Sequence, residues 1–389
     1  MVMQKPDEMI AHLTDLQSPE ACGRLVVKVG SALLVGKDGK PRRKWLTGLA
    51  NEIAQARDRG QEVIIVSSGA IALGAAILGL EKGGRGSLAD AQASAAVGQI
   101  ALSSLWAELL GNHEIVAAQV LITLEDLEGR RRYLNASATL NRLLETGAVP
   151  VVNENDTVAT HEIRFGDNDR LAARVAQAAK AQAVILLSDI DGLYDKHPSE
   201  PGASRIPMVW GVDDEVRAMA TGDSDSGIGS GGMRTKVNAV EIAERAGIAL
   251  VIANGKYDAP IARAIGLHGD DGIGTLFLPR RHDTGRKAWI GGRLRMKGTI
   301  VIDEGAVNAL RDGNSLLAKG ITRVEGRFVR GDPVRIEGPE GEWIAKGLSE
   351  YDAPECVALV GLHTDEQEEV LGYTPRSAVV HRDQLVMLR

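Results

Sequence analysis

The sequence predicts an α/β fold: a mostly parallel sheet sandwiched by helices, followed by a small C-terminal β-barrel-like domain. Short apolar runs at residues 25–30, 62–67, 149–152, 184–187 and 248–252 are separated by segments with helical spacing. Strands so separated require crossovers, which makes them parallel and covers both faces of their sheet. After Leu278 the pattern changes to short β-rich runs punctuated by Gly and Asp. The 389 residues are enough for two domains, one of them large enough to bury a full sheet with its helices.

Taken in order, residues 25–30 form a short buried strand with Lys28 near its end. Residues 44–59 carry helical spacing until Gly60 stops it. The strand at 62–67 runs into Ser68-Gly69-Ala70 and an apolar helix through Leu78. Helices are expected over 88–110 and 131–145, strands over 115–120 and 149–152, and further strands at 184–187 and 248–252. Helices should also begin near Asn168, Asp213 and Arg234. The first domain is placed at 22–278, a polar linker at 279–287 and the second domain at 288–389. Strands in the second domain are expected at 298–302, 321–324, 332–336, 342–345 and 356–360.

Composition narrows the class. Aromatics make up 3% of the chain, so the core must be filled by Ala, Val, Leu and Ile. A net charge of -7 gives no reason for bulk attraction to nucleic acid or anionic membrane. Cys22 and Cys356 lie far apart, which suggests neither a disulfide framework nor a thiolate metal site. Residues 1–20 mix acids with Pro and lack a continuous apolar core, against a secretory signal, and no apolar run reaches membrane-spanning length. The expectation is a soluble, cytoplasmic protein. Its histidines show no metal-ligand spacing, and no residue is expected to ligate a metal.

Five stretches carry chemistry. Asn153-Glu154-Asn155-Asp156-Thr157 follows a strand and Gly166-Asp167-Asn168-Asp169-Arg170 opens a helix. Ligands bind at such places in open α/β sheets, although capping is an ordinary use of Asn and Asp. Lys28-Val29-Gly30-Ser31 brings a cation, a glycine and a hydroxyl to a strand end, which suits phosphate; a lysine there can also simply snorkel to water. Ser67-Ser68-Gly69-Ala70 lets a ligand approach the backbone closely. The glycine-rich stretch 222–236 ends in Thr235 and Lys236 as a helix begins, an arrangement for an anion nest rather than a plain linker. The dinucleotide pattern at 227–232 lacks a preceding strand, and no Walker lysine motif occurs.

Two lysines, a glycine-rich nest and acid-amide clusters, without a nucleophilic cysteine or an obvious histidine base, fit phosphoryl transfer from ATP to a carboxylate. Such an acceptor is already ionised, so catalysis reduces to positioning and charge neutralisation. Lysines serve as compact charges on the phosphates, with Mg²⁺ as the accompanying ion.

The stretches 28–31, 67–71, 153–156, 166–169, 188–189 with 192–194, and 231–236 stand in the order and spacing of the amino acid kinase family. The chain resembles the branch of that family that phosphorylates free glutamate. Residues 301–306, 315–317, 319–321 and 330–332 resemble a PUA domain. The resemblance implies the amino acid kinase fold, and ATP-dependent conversion of L-glutamate to L-glutamyl 5-phosphate, the first step of proline biosynthesis. It implies that Lys28 and Lys236 hold the phosphates and that Asp169 orients them. Ser68, Asp156, Asn168 and Asn153 would bind glutamate. Lys28, Ser188, Asp189, Ser230, Gly231, Gly232, Met233, Arg234, Thr235 and Lys236 would bind the nucleotide. Ser188 and Ser230 stand where the family often has threonine. Asp156 also makes independent sense, because an acid beside the substrate pairs with a free α-ammonium and not with an acetylated one.

Kinases of N-acetylglutamate, aspartate or uridylate would share the fold and the lysines and differ around the acid-amide clusters. An RNA-binding protein acting through the PUA domain is a further alternative. Basic residues in that domain are balanced by acids such as Asp365-Glu366 and Glu368-Glu369, so the basic footprint is missing. The resemblance also implies a homo-oligomer, feedback inhibition by proline and hand-over of the product to glutamyl phosphate reductase.

Overall fold

In the computed structural model, which describes residues 10–36, 38–158, 167–220, 232–280, 296–363, 365–376 and 378–388, the Val, Ile and Leu runs become buried strands. Two compact units divide the chain, Met1–His282 and Asp283–Arg389. The first begins with β1 (Arg24–Val29), α1 (Ser31–Leu34), α2 (Arg43–Asp58), β2 (Glu62–Ser67), α3 (Ala70–Leu78), α4 (Leu88–Gly111) and β3 (Ala117–Ile122). It continues with α5 (Leu124–Glu128), α6 (Arg130–Glu145), β4 (Val149–Glu154), α7 (Asp167–Ala179), β5 (Ala183–Ser188) and β6 (Met208–Trp210). The remaining elements are α8 (Asp214–Met219), α9 (Met233–Arg245), β7 (Ala249–Asn254), α10 (Pro260–Ala264) and β8 (Thr275–Leu278).

Among the described residues these eight strands form one sheet, ordered β3-β4-β2-β1-β5-β7-β8-β6. Neighbours pair in parallel, except β7 with β8, which run antiparallel. The chain places β2, β3 and β4 on one side of β1, with β4 inserted between β2 and the β3 edge, and then crosses to β5 on the other. β1 therefore sits at the point where strand order reverses, and in open α/β sheets ligands bind at such a point, beyond the carboxyl ends of the strands.

Strand parity decides what faces each layer. Leu25, Val27 and Val29 of β1 join a core with α2 and α4, while Val26 joins the opposite core with α7 and α9. Side chains alternate along a strand, so Lys28 shares the face of Val26. On β2 and β4, Ser67 and Asn153 share parity with Ile65 and Val151, which face α4.

α4 does have the length and mean hydropathy of a bilayer span, where the sequence reading expects no such run. Leu102, Leu105, Trp106, Leu109 and Leu110 are buried against the sheet, which makes it a core helix. Its contact with α3 is close: a Cβ on Gly98 would stand 1.8 Å from the Ala70 carbonyl, and one on Gly74 1.8 Å from that of Ser94. Upstream of β1, Leu13 and Leu16 are buried, and the Gln61 amide donates to the Leu16 and Cys22 carbonyls, both at 2.8 Å. Residues 10–22, before the first strand, are thus tied into the core. Burial pushes the Cys22 thiol up to about 12 and the Cys356 thiol up to about 11, so neither is a ready nucleophile.

The second unit contains β9 (Gly298–Ile302), α11 (Glu304–Arg311), β10 (Ile321–Gly326), β11 (Pro333–Glu337), β12 (Trp343–Leu348), α12 (Ala353–Ala358), α13 (Gln367–Leu371) and β13 (Leu385–Met387). Its five described strands are ordered β10-β9-β11-β12-β13. The strand expected at 356–360 is corrected to α12, which spans Ala353–Ala358. Asp352 and Glu355 form a reciprocal capping box there and Pro354 lies in the first turn, start signals that outweigh the local β propensity. Of the expected linker, residues 281–287 lie outside the described residues.

Candidate active site

Three elements deliver charge to the carboxyl end of β1. Lys28 arrives near the end of β1, Asp169 in the first turn of α7 and Lys236 in the first turn of α9. Lys28 Nζ lies 2.5 Å from Asp169 Oδ1, and Lys236 Nζ lies 3.4 Å from Asp169 Oδ2. All three are buried, with Asp169 only 1% exposed. Burial alone would lift the Asp169 carboxyl. Lys28 and Lys236 outweigh it and hold the group below the ordinary carboxylate range. Thr235 Oγ1 stands 3.5 Å from the same carboxylate and donates to the Gly232 carbonyl at 2.9 Å, closing the first turn of α9. The cluster carries two positive charges against one negative, and two helix N-termini add to the positive field. It is built to receive an anion.

Next to it lies an amide network. Asn168 precedes Asp169 on α7 and donates from Nδ2 to Ser68 Oγ at 2.6 Å and to Asn153 Oδ1 at 3.2 Å. Asn153 in turn donates to Gln99 Oε1 on α4 at 2.8 Å. Ser67, just before Ser68, accepts from the Trp106 indole at 3.0 Å, which ties the end of β2 to α4. Gly69 sits at φ +106°, where a side chain would be strained, and turns the chain from β2 into α3 immediately after Ser68. Asp156 lines a cavity of about 300 Å³ with Gln99, Gln119 and Glu154. Arg85 is half-buried, and Asp156 partly offsets the burial that lowers its pKa.

On the far side of β1, Ser188 ends β5 and donates to Asp189 Oδ1 at 3.2 Å. Lys256 Nζ donates to the Asp189 carbonyl at 3.4 Å. Gly232 caps α9, Met233 is buried and Arg234 is exposed. Ser230, Gly231 and Gly166 lie outside the described residues. Lys28, Asp169 and Lys236 are thus brought into one cluster, and Ser68, Asn153 and Asn168 into a second that shares a helix turn with it. Sequence reasoning missed Gln99, Trp106, Arg85 and Lys256. Gln99 stands alone as an amide within Ala95-Ala96-Val97-Gly98-Gln99-Ile100-Ala101, a polar exception in an apolar helix that could have marked it.

A lysine–carboxylate–lysine cluster where strand order reverses makes this an α/β protein with a built anion site. The sequence profile described as the amino acid kinase family matches residues 23–254, and that of the PUA domain matches residues 298–371. The chain belongs to the amino acid kinase family. It is similar to the glutamate 5-kinase of Novosphingobium aromaticivorans, at 64% identity over 97% of this chain and 100% of that one. It is also similar to glutamate 5-kinases of Sphingopyxis alaskensis (58% identity, 95% of this chain and 99% of that one) and Zymomonas mobilis (53%, 95% and 92%).

Proposed function

We propose that the chain transfers the γ-phosphoryl group of ATP to the side-chain carboxylate of L-glutamate, giving L-glutamyl 5-phosphate, the first step of proline biosynthesis. The observation that carries this reading is the buried Asp169 paired with Lys28 and Lys236, joined through Asn168 to an amide cluster. The lysines neutralise charge on the transferring group, and Asp169 keeps them aimed. Because the acceptor carboxylate is ionised at neutral pH, no general base is required, and the described cluster holds no histidine or thiol. Asn168, Ser68, Asn153 and Asp156 bind glutamate, with Asp156 on the α-ammonium. Ser188, Asp189 and the start of α9 from Gly232 to Lys236 take the nucleotide, with Ser230 and Gly231 completing that stretch.

Magnesium accompanies the nucleotide. The described residues hold no group of three or more His, Cys, Asp or Glu able to cage a metal, and Asp169 is already neutralised by lysines. With Asp169 so engaged, the ion would ride on the phosphates of the nucleotide. Proline shares the α-amino and α-carboxyl groups of glutamate and would compete at Asp156 and Asn168. The exposed apolar side chains Ile77, Ile100, Val116 and Leu121 on α3, α4 and the β3 edge support self-association. The lability of an acyl phosphate favours direct hand-over to a reductase.

Incubation with ATP, Mg²⁺ and L-glutamate, with hydroxylamine to trap the acyl phosphate, tests the assignment. A hydroxamate from glutamate is expected. Product from aspartate or N-acetylglutamate alone would overturn the substrate and leave the fold standing.

A further inference from the structure

Gln99 has no role so far, yet it belongs to a hydrogen-bond chain whose direction is fixed by groups with only one possible sense. The backbone N–H of Glu154 can only donate, and it meets Asn153 Oδ1 at 2.9 Å. The other terminal atom of Asn153 is therefore its amide nitrogen, which donates to Gln99 Oε1 at 2.8 Å. Gln99 thereby turns its own nitrogen to Ser103 Oγ at 3.2 Å, and that hydroxyl reaches Gln119 Oε1 at 2.6 Å. On the other side, Asn153 Oδ1 takes a second hydrogen bond from Asn168 Nδ2 at 3.2 Å. The Ser67 carbonyl, able only to accept, lies 3.5 Å from the same nitrogen. Asn168 turns its nitrogen, with two hydrogens, toward Asn153, Ser67 and Ser68, and among the described residues its Oδ1 is buried without a partner.

We propose that Gln99 is a positioning residue for the amino-acid acceptor: its carbonyl oxygen holds the Asn153 amide in the orientation that the Glu154 N–H also requires, so that Asn153 keeps Asn168 in place and Asn168 Oδ1 receives a hydrogen bond from the substrate's α-ammonium. This deepens the proposed function and rests on it. At neutral pH both carboxylates of free glutamate only accept, so the ammonium is the group able to satisfy that oxygen. Gln99 also lines the cavity that contains Asp156, the carboxylate proposed for the same ammonium. In this reading two acceptors serve one donor, and Gln99 supports the network that holds one of them while lining the cavity that contains the other.

The test uses the full-length enzyme with ATP and hydroxylamine trapping, measuring KM for glutamate and for ATP, and Ki for glutarate, which lacks the ammonium. Gln99→Leu removes the acceptor for Asn153 and should raise the glutamate KM by about 10-fold or more. KM for ATP, Ki for glutarate and kcat should stay within about twofold. Gln99→Glu keeps an oxygen toward Asn153 and should restore the glutamate KM. If Gln99→Leu does not fold, Gln99→Met gives the same comparison with a side chain of matched length. An unchanged glutamate KM, an equal loss for glutamate and glutarate, or no rescue by Glu would overturn the proposal. A wild-type chain that makes no hydroxamate from glutamate refutes the proposed function as well, and does so without any Gln99 variant.

Discussion

Replacing Asp169 by Asn removes the one negative charge between two buried ammonium groups, which lie 2.5 and 3.4 Å from its oxygens. Lys28 is 8% exposed and Lys236 6%, so water does little to screen what remains. Removing one partner of a buried ion pair costs about 3–5 kcal/mol, because the other charge stays desolvated. At about 2–4 °C per kcal/mol for a domain of this size, Tm should fall by roughly 6–20 °C. ATP brings replacement negative charge to the lysines, so saturating nucleotide should recover part of the loss; a ligand at 100 times its Kd contributes about 2.7 kcal/mol. kcat should fall roughly 10²–10³-fold, the scale of losing one preorganised electrostatic element. The sign with pH follows from the depressed folded pKa of Asp169. Its contribution is present above the unfolded carboxyl value of about 3.9 and is lost as pH falls through the folded value, so the gap between Asp169→Asn and wild type should narrow in acid. Urea titrations at neutral and acid pH, with and without nucleotide, together with hydroxamate assays, measure all of this. A variant as stable and as active as wild type at pH 7 would refute the account.

Glu52 on α2 accepts from the Ala262 N–H at 2.6 Å, and burial, opposed by backbone N–H groups and Arg59, pushes its carboxyl up to about 7. Its folded pKa exceeds its unfolded one, so stability should decline as pH rises from about 4.5 to 7, by up to roughly 3 kcal/mol. Glu52→Gln keeps the acceptor and should gain on wild type across that window in thermal melts; a pH-independent difference would count against it. Gly98→Ala places a methyl group 1.8 Å from the Ala70 carbonyl and should lower the urea midpoint by an amount equivalent to roughly 1–3 kcal/mol. A midpoint equal to that of wild type would show that α3 and α4 can separate freely. Asp156→Asn should raise the glutamate KM by roughly 10–100-fold with the ATP KM unchanged, the reach of one lost charge-assisted bond. A change confined to the ATP KM would move Asp156 to the other side of the reaction.

Much of the first unit was legible because its strands are buried on both faces. Runs such as Val26-Val27 and Ile64-Ile65 fit strands covered on both faces, and Gly60 and Gly69 mark real turns. Short elements at the sheet margin were not legible. β6 is Met208–Trp210 and β8 is Thr275–Leu278, too brief for periodicity to register, and the antiparallel β8 breaks the βαβ rhythm. The β3 edge starts at Ala117, two residues later than the apolar pattern suggests, since an edge strand with one covered side constrains its ends weakly. At the site, Lys28 and Asp169 could be read from strand end and helix start. Gln99 shows in the sequence only as a polar exception in an apolar helix, and its role stays hidden because it depends on strand parity across three elements. Only after β4 is seen to turn Asn153 toward α4 does a glutamine in an Ala-rich helix acquire a partner.

That parity also explains how one site can serve two substrates. β1 turns Lys28 to the layer of α7 and α9, whereas β4 turns Asn153 to the layer of α4. The two sets of side chains lie on opposite faces of the sheet and can meet only past its carboxyl edge. α7 begins at that edge, and successive helix positions are about 100° apart, so consecutive residues point to different layers. Asn168 goes to the amide network and Asp169 to the lysines. In the proposed reaction the acceptor side and the phosphate side are therefore coupled through one peptide unit. Moving Asn168 relative to Asp169 would displace the glutamate carboxylate from the charges that must stabilise its phosphorylation, and a near-attack geometry tolerates little such displacement.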